Sequence, residues 1–456
     1  MWVPSEDDPR AGGTHVTTLH SDVLVLGSTL GGLIAANYLA RTGLRVVLLE
    51  EEVQAKRPAL LREPFLLSGL GPGGPVRRVL RELALPLIEQ REIRRGELAL
   101  QVLLPGTRVD VGRGRAALAR ELEAHGFADA EVLRAWLDAV DAEAATTHAE
   151  LWQEAAQRRG RGISRLLPEP NREPLTTSRR LPAPPDGLGE FVAAQLAALS
   201  ALDSSQPLPA PALLLHMTRE GAFRMPHAEA PFLGLFRRRL ETLYGEIRPI
   251  GAFGLVMDRK DVGLELPRGR LLARALVIAV PHEPLRAFLA KTGSPPAWLR
   301  PSPPPLEAPI RIFRAERDAL PQGMAERVIR ADGTTGEPIH WLARSPDPSD
   351  RRIEWLVAFG PGAQHLPARR PLGELAPLAG GGIVAVDPGP TPAWDLDASG
   401  LRFLSAGTSP WLRQSPPVVT VGPELAPGLG FEGELLGARQ VARSLAERLG
   451  ARPRAV

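Results

Sequence analysis

The chain has 456 residues, a formal net charge of +3 and no cysteine. That length exceeds what one hydrophobic core usually serves, so two intimately packed domains are expected, and the missing cysteines exclude disulfides, thiolate metal sites, iron–sulfur clusters and a cysteine nucleophile. The pI of 9.7 reports arginine, lysine occurring only at Lys56, Lys260 and Lys291, and it does not describe a nucleic-acid footprint. The polar stretch 1–19 reads as a flexible tail, and no apolar run approaches the roughly 18 to 20 residues a membrane span needs. A cytoplasmic protein is expected, with room for peripheral membrane contact but no span.

In chain order, Val23–Leu26 is a short apolar run suited to a buried parallel strand, Gly27 breaks it, and Leu33–Leu39 then follow helical spacing up to Gly43. A second apolar strand, residues 44–50, ends in Glu50, eighteen residues after Gly32. Strand, turn, helix, strand and terminal acid together predict a Rossmann-type dinucleotide-binding unit. Gly27 permits the tight turn, Gly32 lets helix and strand pack closely, and the helix N-terminus offers N–H groups and partial positive charge to a diphosphate. The expected cradle is Gly27, Ser28, Thr29, Leu30, Gly31 and Gly32, with Glu50 and its neighbour Glu51 toward the ribose. Thr29 stands where the second glycine of G-x-G-x-x-G belongs. Its side chain either pushes the diphosphate outward, donates its hydroxyl to a phosphate oxygen, or faces away.

Residues 97–126 and a long helical stretch over 128–157 follow, and then a proline-rich segment, 160–187, too irregular for regular structure. A helix over Leu233–Tyr244, a strand near Glu246–Ile250 and a β-meander returning to the central sheet at Val277–Val280 come next. A second proline-rich crossing spans 293–309. Beyond it, strands are expected in "PIRIF", "EPIHWLA" and "RIEWLVAF", which with "ALLLHM" (212–217) are candidate walls of an apolar pocket. Trp341 and Trp355 are more readily read as core filling. Near the C-terminus, 400–412 reads as an apolar strand running into the small turn Ala406–Gly407–Thr408, and "GLGFEGELLGARQVARSLAERL" (428–449) as a long amphipathic helix.

This C-terminal pattern resembles the FAD-dependent amine oxidase and phytoene desaturase superfamily, with its strand, A-G-[D/T] turn and E-G-A-x-x-S-G helix start. Glu432-Gly433 matches the E-G pair, and Gly437-Ala438 occupies the place of S-G. The resemblance spans most of residues 21–450. It implies an α/β fold in which a Rossmann-type FAD/NAD(P)-binding domain carries an inserted α+β substrate domain, a mixed sheet plus helices. The implied division is an FAD-binding domain over 20–60, 205–285 and 395–450, with a substrate or cap domain over 61–204 and 286–394. It also implies FAD contacts at Gly407, Thr408, Phe431, Glu432 and Gly433, and an adenine contact near Ala252 or Phe253, the latter more readily read as core. Three departures stand out. Besides Thr29, the family's Gly-Gly pair after the ribose acid is replaced by Lys56 and Arg57, either of which could contact the diphosphate, and the pair after Pro226 by His227, Ala228 and Glu229.

Other chemistries find little support. No H-E-x-x-H or comparable cluster joins the histidines, so no metal is expected, and neither a P-loop nor a G-x-S-x-G elbow is present. His216, His282 and His340 read as core or rim residues, and no catalytic residue is assigned. The tyrosine pair and lysine common to amine oxidases of this superfamily are missing: Tyr38 and Tyr244 are the only tyrosines, both on predicted helices of the nucleotide domain. The leading expectation is an FAD-dependent oxidoreductase, a dehydrogenase, desaturase or isomerase of a hydrophobic small molecule. The replaced glycines keep a second reading open, a cofactor-free relative that uses the fold as a binding scaffold.

Overall fold

The computed structural model describes residues 17–51, 66–71, 74–91, 93–95, 98–112, 114–157, 181–200, 210–220, 223–224, 232–267, 269–299, 306–307, 310–331, 338–347, 349–359, 382–386, 402–403, 410–422, 425 and 430–451. The chain opens with β1 (Thr17–Leu26), α1 (Leu30–Arg41) and β2 (Val46–Glu51), followed by α2 (Pro75–Glu82), the single turn α3 (Leu87–Gln90), β3 (Arg94–Arg95), and the hairpin β4 (Leu98–Leu104) and β5 (Thr107–Gly112). Helices α4 (Arg115–Ala124), α5 (Ala130–Gln157), α6 (Gly189–Ser200) and α7 (Pro211–Glu220) lead to β6 (Phe223–Arg224), α8 (Phe232–Thr242) and β7 (Glu246–Ile250). The meander β8 (Gly254–Met257), β9 (Val262–Leu266) and β10 (Gly269–Ile278) precedes α9 (His282–Thr292). Then come β11 (Leu306–Glu307), β12 (Ile310–Glu316), β13 (Arg327–Ala331), β14 (Pro338–Pro346), β15 (Ile353–Phe359), β16 (Ile383–Val386), β17 (Arg402–Phe403), β18 (Trp411–Gln414), β19 (Pro417–Thr420) and α10 (Gly430–Arg448).

Two sheets organise these elements. The first has the order β18-β19-β10-β1-β2-β7, with β8 and β9 continuing from β10. Strands β19, β10, β1, β2 and β7 pair in parallel, so both faces need cover, and the central stretches Val23–Leu26, Val46–Leu49 and Ala275–Ile278 are apolar. Val23 and Val25 pack toward α1, α2, α8 and α10, while Leu24 and Leu26 pack toward the meander and α9. β1 begins at Thr17, inside the stretch expected to be tail, because Thr17–His20 find partners on Gly269–Leu272. The strand beside β10 near the C-terminus is β19, which lies just beyond the strand expected over 400–412. Within 400–412, Arg402 and Phe403 pair antiparallel with β11, and Trp411 begins β18.

The second sheet runs β16-β12-β15-β14-β13-β4-β5, antiparallel except for the β13–β4 pair. One face, including Ile312, Ile329, Trp341 and Val357, packs on helices α4 to α7. Its other face, including Phe313, Leu342 and Leu356, packs on Leu320 and Met324. "ALLLHM" is therefore part of helix α7, and Trp341, 1% exposed, is core. Among the described residues, no helix is long and apolar enough to cross a membrane.

α1 is buried along its whole length from Leu30 to Ala40, as a helix apolar on all sides must be. Such a helix needs polar anchors at its flanks. Asn37 supplies one, its Nδ2 donating to the carbonyls of Leu33 and Phe236, each at 2.8 Å, and so tying α1 to α8. Glu82 on α2 supplies the other. It accepts from Tyr38 Oη at 2.8 Å and from Arg439 Nε and Nη2 of α10 at 2.6 and 2.7 Å, a brace across three helices. Burial works against the Glu82 charge, but the Arg439 bond and charge with the Tyr38 hydroxyl outweigh it, holding the carboxyl down to about 2 from 4.5. Burial, and then the Glu82 charge, push the Tyr38 phenol well above its usual range.

Removing one partner of a buried pair leaves the other charge stranded. Glu82→Ala should lower unfolding free energy at pH 7 by about 3 kcal/mol, measured by urea denaturation. Because the folded carboxyl titrates below the unfolded one, this stability is present above about pH 4.5 and is lost as pH falls toward 2. The variant should lack that portion of the acid limb; superimposable pH profiles would remove the brace from the account.

Candidate functional site

The cradle forms where β1 ends and α1 begins. Gly27 N–H donates to the Leu49 carbonyl at 2.9 Å, which holds the turn against β2. Gly27 has φ +108°, and a Cβ there would meet Val280 Cγ1 at 2.5 Å. At Gly32 a Cβ would sit 2.2 Å from the Gly27 carbonyl oxygen and 2.8 Å from Ala279 Cβ. Only glycine fits either position, and helix and sheet meet as closely as the sequence pattern requires.

Thr29 is the N-cap of α1. Its Oγ1 accepts from Gly32 N–H at 3.2 Å and donates to the Ala279 carbonyl at 3.0 Å. The hydroxyl therefore clips the helix start to the segment after β10. Ser28 Oγ donates to Glu50 Oε1 at 2.7 Å. Leu30 is 5% exposed and belongs to the core beneath α1. Gly31 N–H, the next free donor of the helix start, donates to Glu434 Oε1 at 2.7 Å.

Glu50 lies at the end of β2, as its spacing predicts. Its carboxylate receives Arg237 Nη1 at 2.7 Å and Nη2 at 2.8 Å, a bidentate pair with α8. The bond to Glu50 holds the Arg237 guanidinium above its ordinary value despite burial. Glu432, on the first turn of α10, is 3% exposed and accepts from Ser68 Oγ. Burial pushes its carboxyl up to about 7, with the Ser68 bond pulling the other way. Gly433 is buried beside it. Three carboxylates, Glu50, Glu432 and Glu434, thus line the region where the N-termini of α1 and α10 converge.

Phe253 is 2% exposed, and its ring centroid lies 4.9 Å from that of Phe288, in the core under the meander. The Glu51 and Phe431 side chains, and Arg57, Gly407 and Thr408 entirely, lie outside the described residues, as does the His340 side chain. His216 Nδ1 is 2.6 Å from Asp141 Oδ1 and His282 Nε2 is 3.1 Å from Thr420 Oγ1, partners in keeping with structural roles.

No protein-family model matches the chain, and no curated protein matches it in sequence. Among solved structures, an oxidoreductase from Methanosarcina mazei superimposes with a TM-score of 0.51 at 15% identity, over 92% of this chain and 100% of that one. Wild-type putrescine oxidase bound to putrescine gives 0.50 at 14% identity, over 95% and 100%. The chain shares its fold with putrescine oxidase.

Within this putrescine oxidase-like fold, sequence reasoning missed Arg237, Glu434 and Ser68. Arg237 sits in "FRRRLE", three half-buried arginines in a row, where no local signal singles out the one that pairs with Glu50. Glu434 carries a signal: it stands where the resembling motif E-G-A-x-x-S-G has alanine, a charge in place of a methyl group at a helix start.

Two measurements probe the site. Thr29→Ala should cost about 1 kcal/mol of stability through the lost cap, and undiminished stability would show that the cap contributes nothing. Glu432 titrates near 7 when folded and near 4.5 when unfolded, so the folded state binds the extra proton between those values. Stability should fall as pH rises from 4.5 to 7 and level off above. Glu432→Gln, which cannot ionise, should gain up to about 3 kcal/mol over the wild type above pH 7 and none below 4.5. A difference independent of pH would contradict this.

Proposed function

We propose that the protein is an FAD-dependent oxidoreductase acting on a hydrophobic small molecule. One observation carries the reading: the N-termini of α1 and α10 converge at Gly31 and Glu434, with Glu50 at the end of the adjoining strand. The donor chemistry fits an anion, because a carboxylate already accepts the Gly31 N–H. The cradle geometry fits a dinucleotide too, since Gly27 and Gly32 let α1 start directly against the end of β1, the strand–turn–helix packing such a cradle uses. Residues 27–31 would hold the diphosphate, Glu50 the ribose, and the start of α10 the flavin side. When bound, the flavin supplies hydride acceptance. The shared fold with an oxidoreductase and with putrescine oxidase supports this reading.

An apolar substrate is favoured by what the described tyrosines and lysines do. The Tyr38 hydroxyl is bound to Glu82, and Tyr244 is 96% exposed past the end of α8, so neither offers a wall to a polar amine. Lys260 and Lys291 are exposed on the surface. The chain's own part is then to position an apolar molecule and keep water out, with little acid–base equipment.

A second reading, a cofactor-free binding scaffold, is favoured by one observation, that Glu50 and Gly31 are both already paired within the chain. Thermal melting in excess FAD separates the two. Ligand at 100 times its dissociation constant adds about 2.7 kcal/mol, a rise of several degrees. A shift of that kind, with quenching of flavin fluorescence, is expected; no shift at millimolar FAD would overturn the oxidoreductase reading.

A further inference from the structure

We propose that Glu434 is a built-in competitor for the diphosphate anchor: its carboxylate takes the Gly31 N–H that a dinucleotide would need, so cofactor binding requires Glu434 to leave. The inference rests on the flavin reading of the site and deepens it. Glu434 is 6% exposed, and its Oε1 lies 2.7 Å from Gly31 N, at the short end for a charge-assisted bond. With Thr29 capping Gly32 N–H, side chains of the protein take two donors of the first turn of α1.

The fit is close on every side. A Cβ on Gly31 would lie 3.0 Å from Glu434 Oε1, 3.4 Å from its Cγ and 3.5 Å from Gly422 N, so the absence of a side chain at Gly31 leaves the carboxylate its place. The contact joins residues 403 apart in the chain and sets a negative group against the positive end of α1. A diphosphate brings two or more negative charges to the same donor. It cannot share that N–H with a carboxylate, and the two repel at that range in a water-poor site. The side chain that stabilises the cofactor-free protein therefore opposes the cofactor.

ADP, which carries diphosphate and ribose without flavin, is the probe. Wild-type chain, Glu434→Gln and Glu434→Ala are titrated with ADP and with FAD by calorimetry, and each is melted without ligand. Glutamine keeps the size and an acceptor oxygen and removes the charge, so it serves if the alanine variant fails to fold. Both variants, or glutamine alone in that case, should bind ADP at least tenfold more tightly than wild type and melt at a lower temperature without ligand. ADP affinity equal to or weaker than that of wild type, or no ADP binding by any of the three, would overturn the proposal. Tighter ADP binding by the variants with no FAD uptake by any protein would support the competitor and sink the flavin reading. Equal FAD and ADP binding by all three would do the reverse.

Discussion

Everything at the site depends on how closely α1 approaches the turn that precedes it. A side chain at Gly32 would stand 2.2 Å from the Gly27 carbonyl, so the helix rests directly on the end of β1. That contact fixes the direction of the helix, hence where its unpaired N–H groups point, hence which groups must answer them. Thr29 answers one from within the turn, and Glu434 answers another from the far end of the chain.

The electrostatics follow from the same geometry. Three buried carboxylates gather at one helix junction, and each is managed differently. Glu50 has a guanidinium partner held by two bonds. Glu434 rests on the partial charge of a helix start. Glu432, answered by a serine hydroxyl, is held close to neutrality by burial.

The parts of this arrangement that were legible in the sequence are those set by local pattern. The run Val23–Leu26, the break at Gly27 and the terminal acid Glu50 describe β1, the turn and β2, because a buried parallel strand leaves an uninterrupted apolar signal. Strand β7 has the expected bounds, Glu246–Ile250. The helix before it stops at Thr242, two residues early, where Tyr244 takes a left-handed φ of +61°, a choice the side chain does not advertise. Strand β19 went unseen because four residues after a proline carry too little periodicity. Arg237 and Glu434 were hidden for another reason: their meaning lies in partners 187 and 403 residues away. Thr29 is instructive, since a threonine before a helix is a familiar cap, a role that the interrupted glycine motif around it hides.

The brace of Tyr38, Glu82 and Arg439 has a consequence for how the molecule is made. Its third member, like Glu434, lies in the last helix, and β19, one strand from β1, forms only when residues 417–420 arrive. During synthesis the N-terminal strand–helix–strand unit must therefore wait, with one face of α1 uncovered, until nearly the whole polypeptide has left the ribosome. Such closure over long sequence separation slows folding and prolongs the exposure of apolar surface. A chain shortened by its final helix loses the cover of α1 together with Arg439 and Glu434, the partners of Glu82 and Gly31, so its N-terminal unit is left as a client for chaperones.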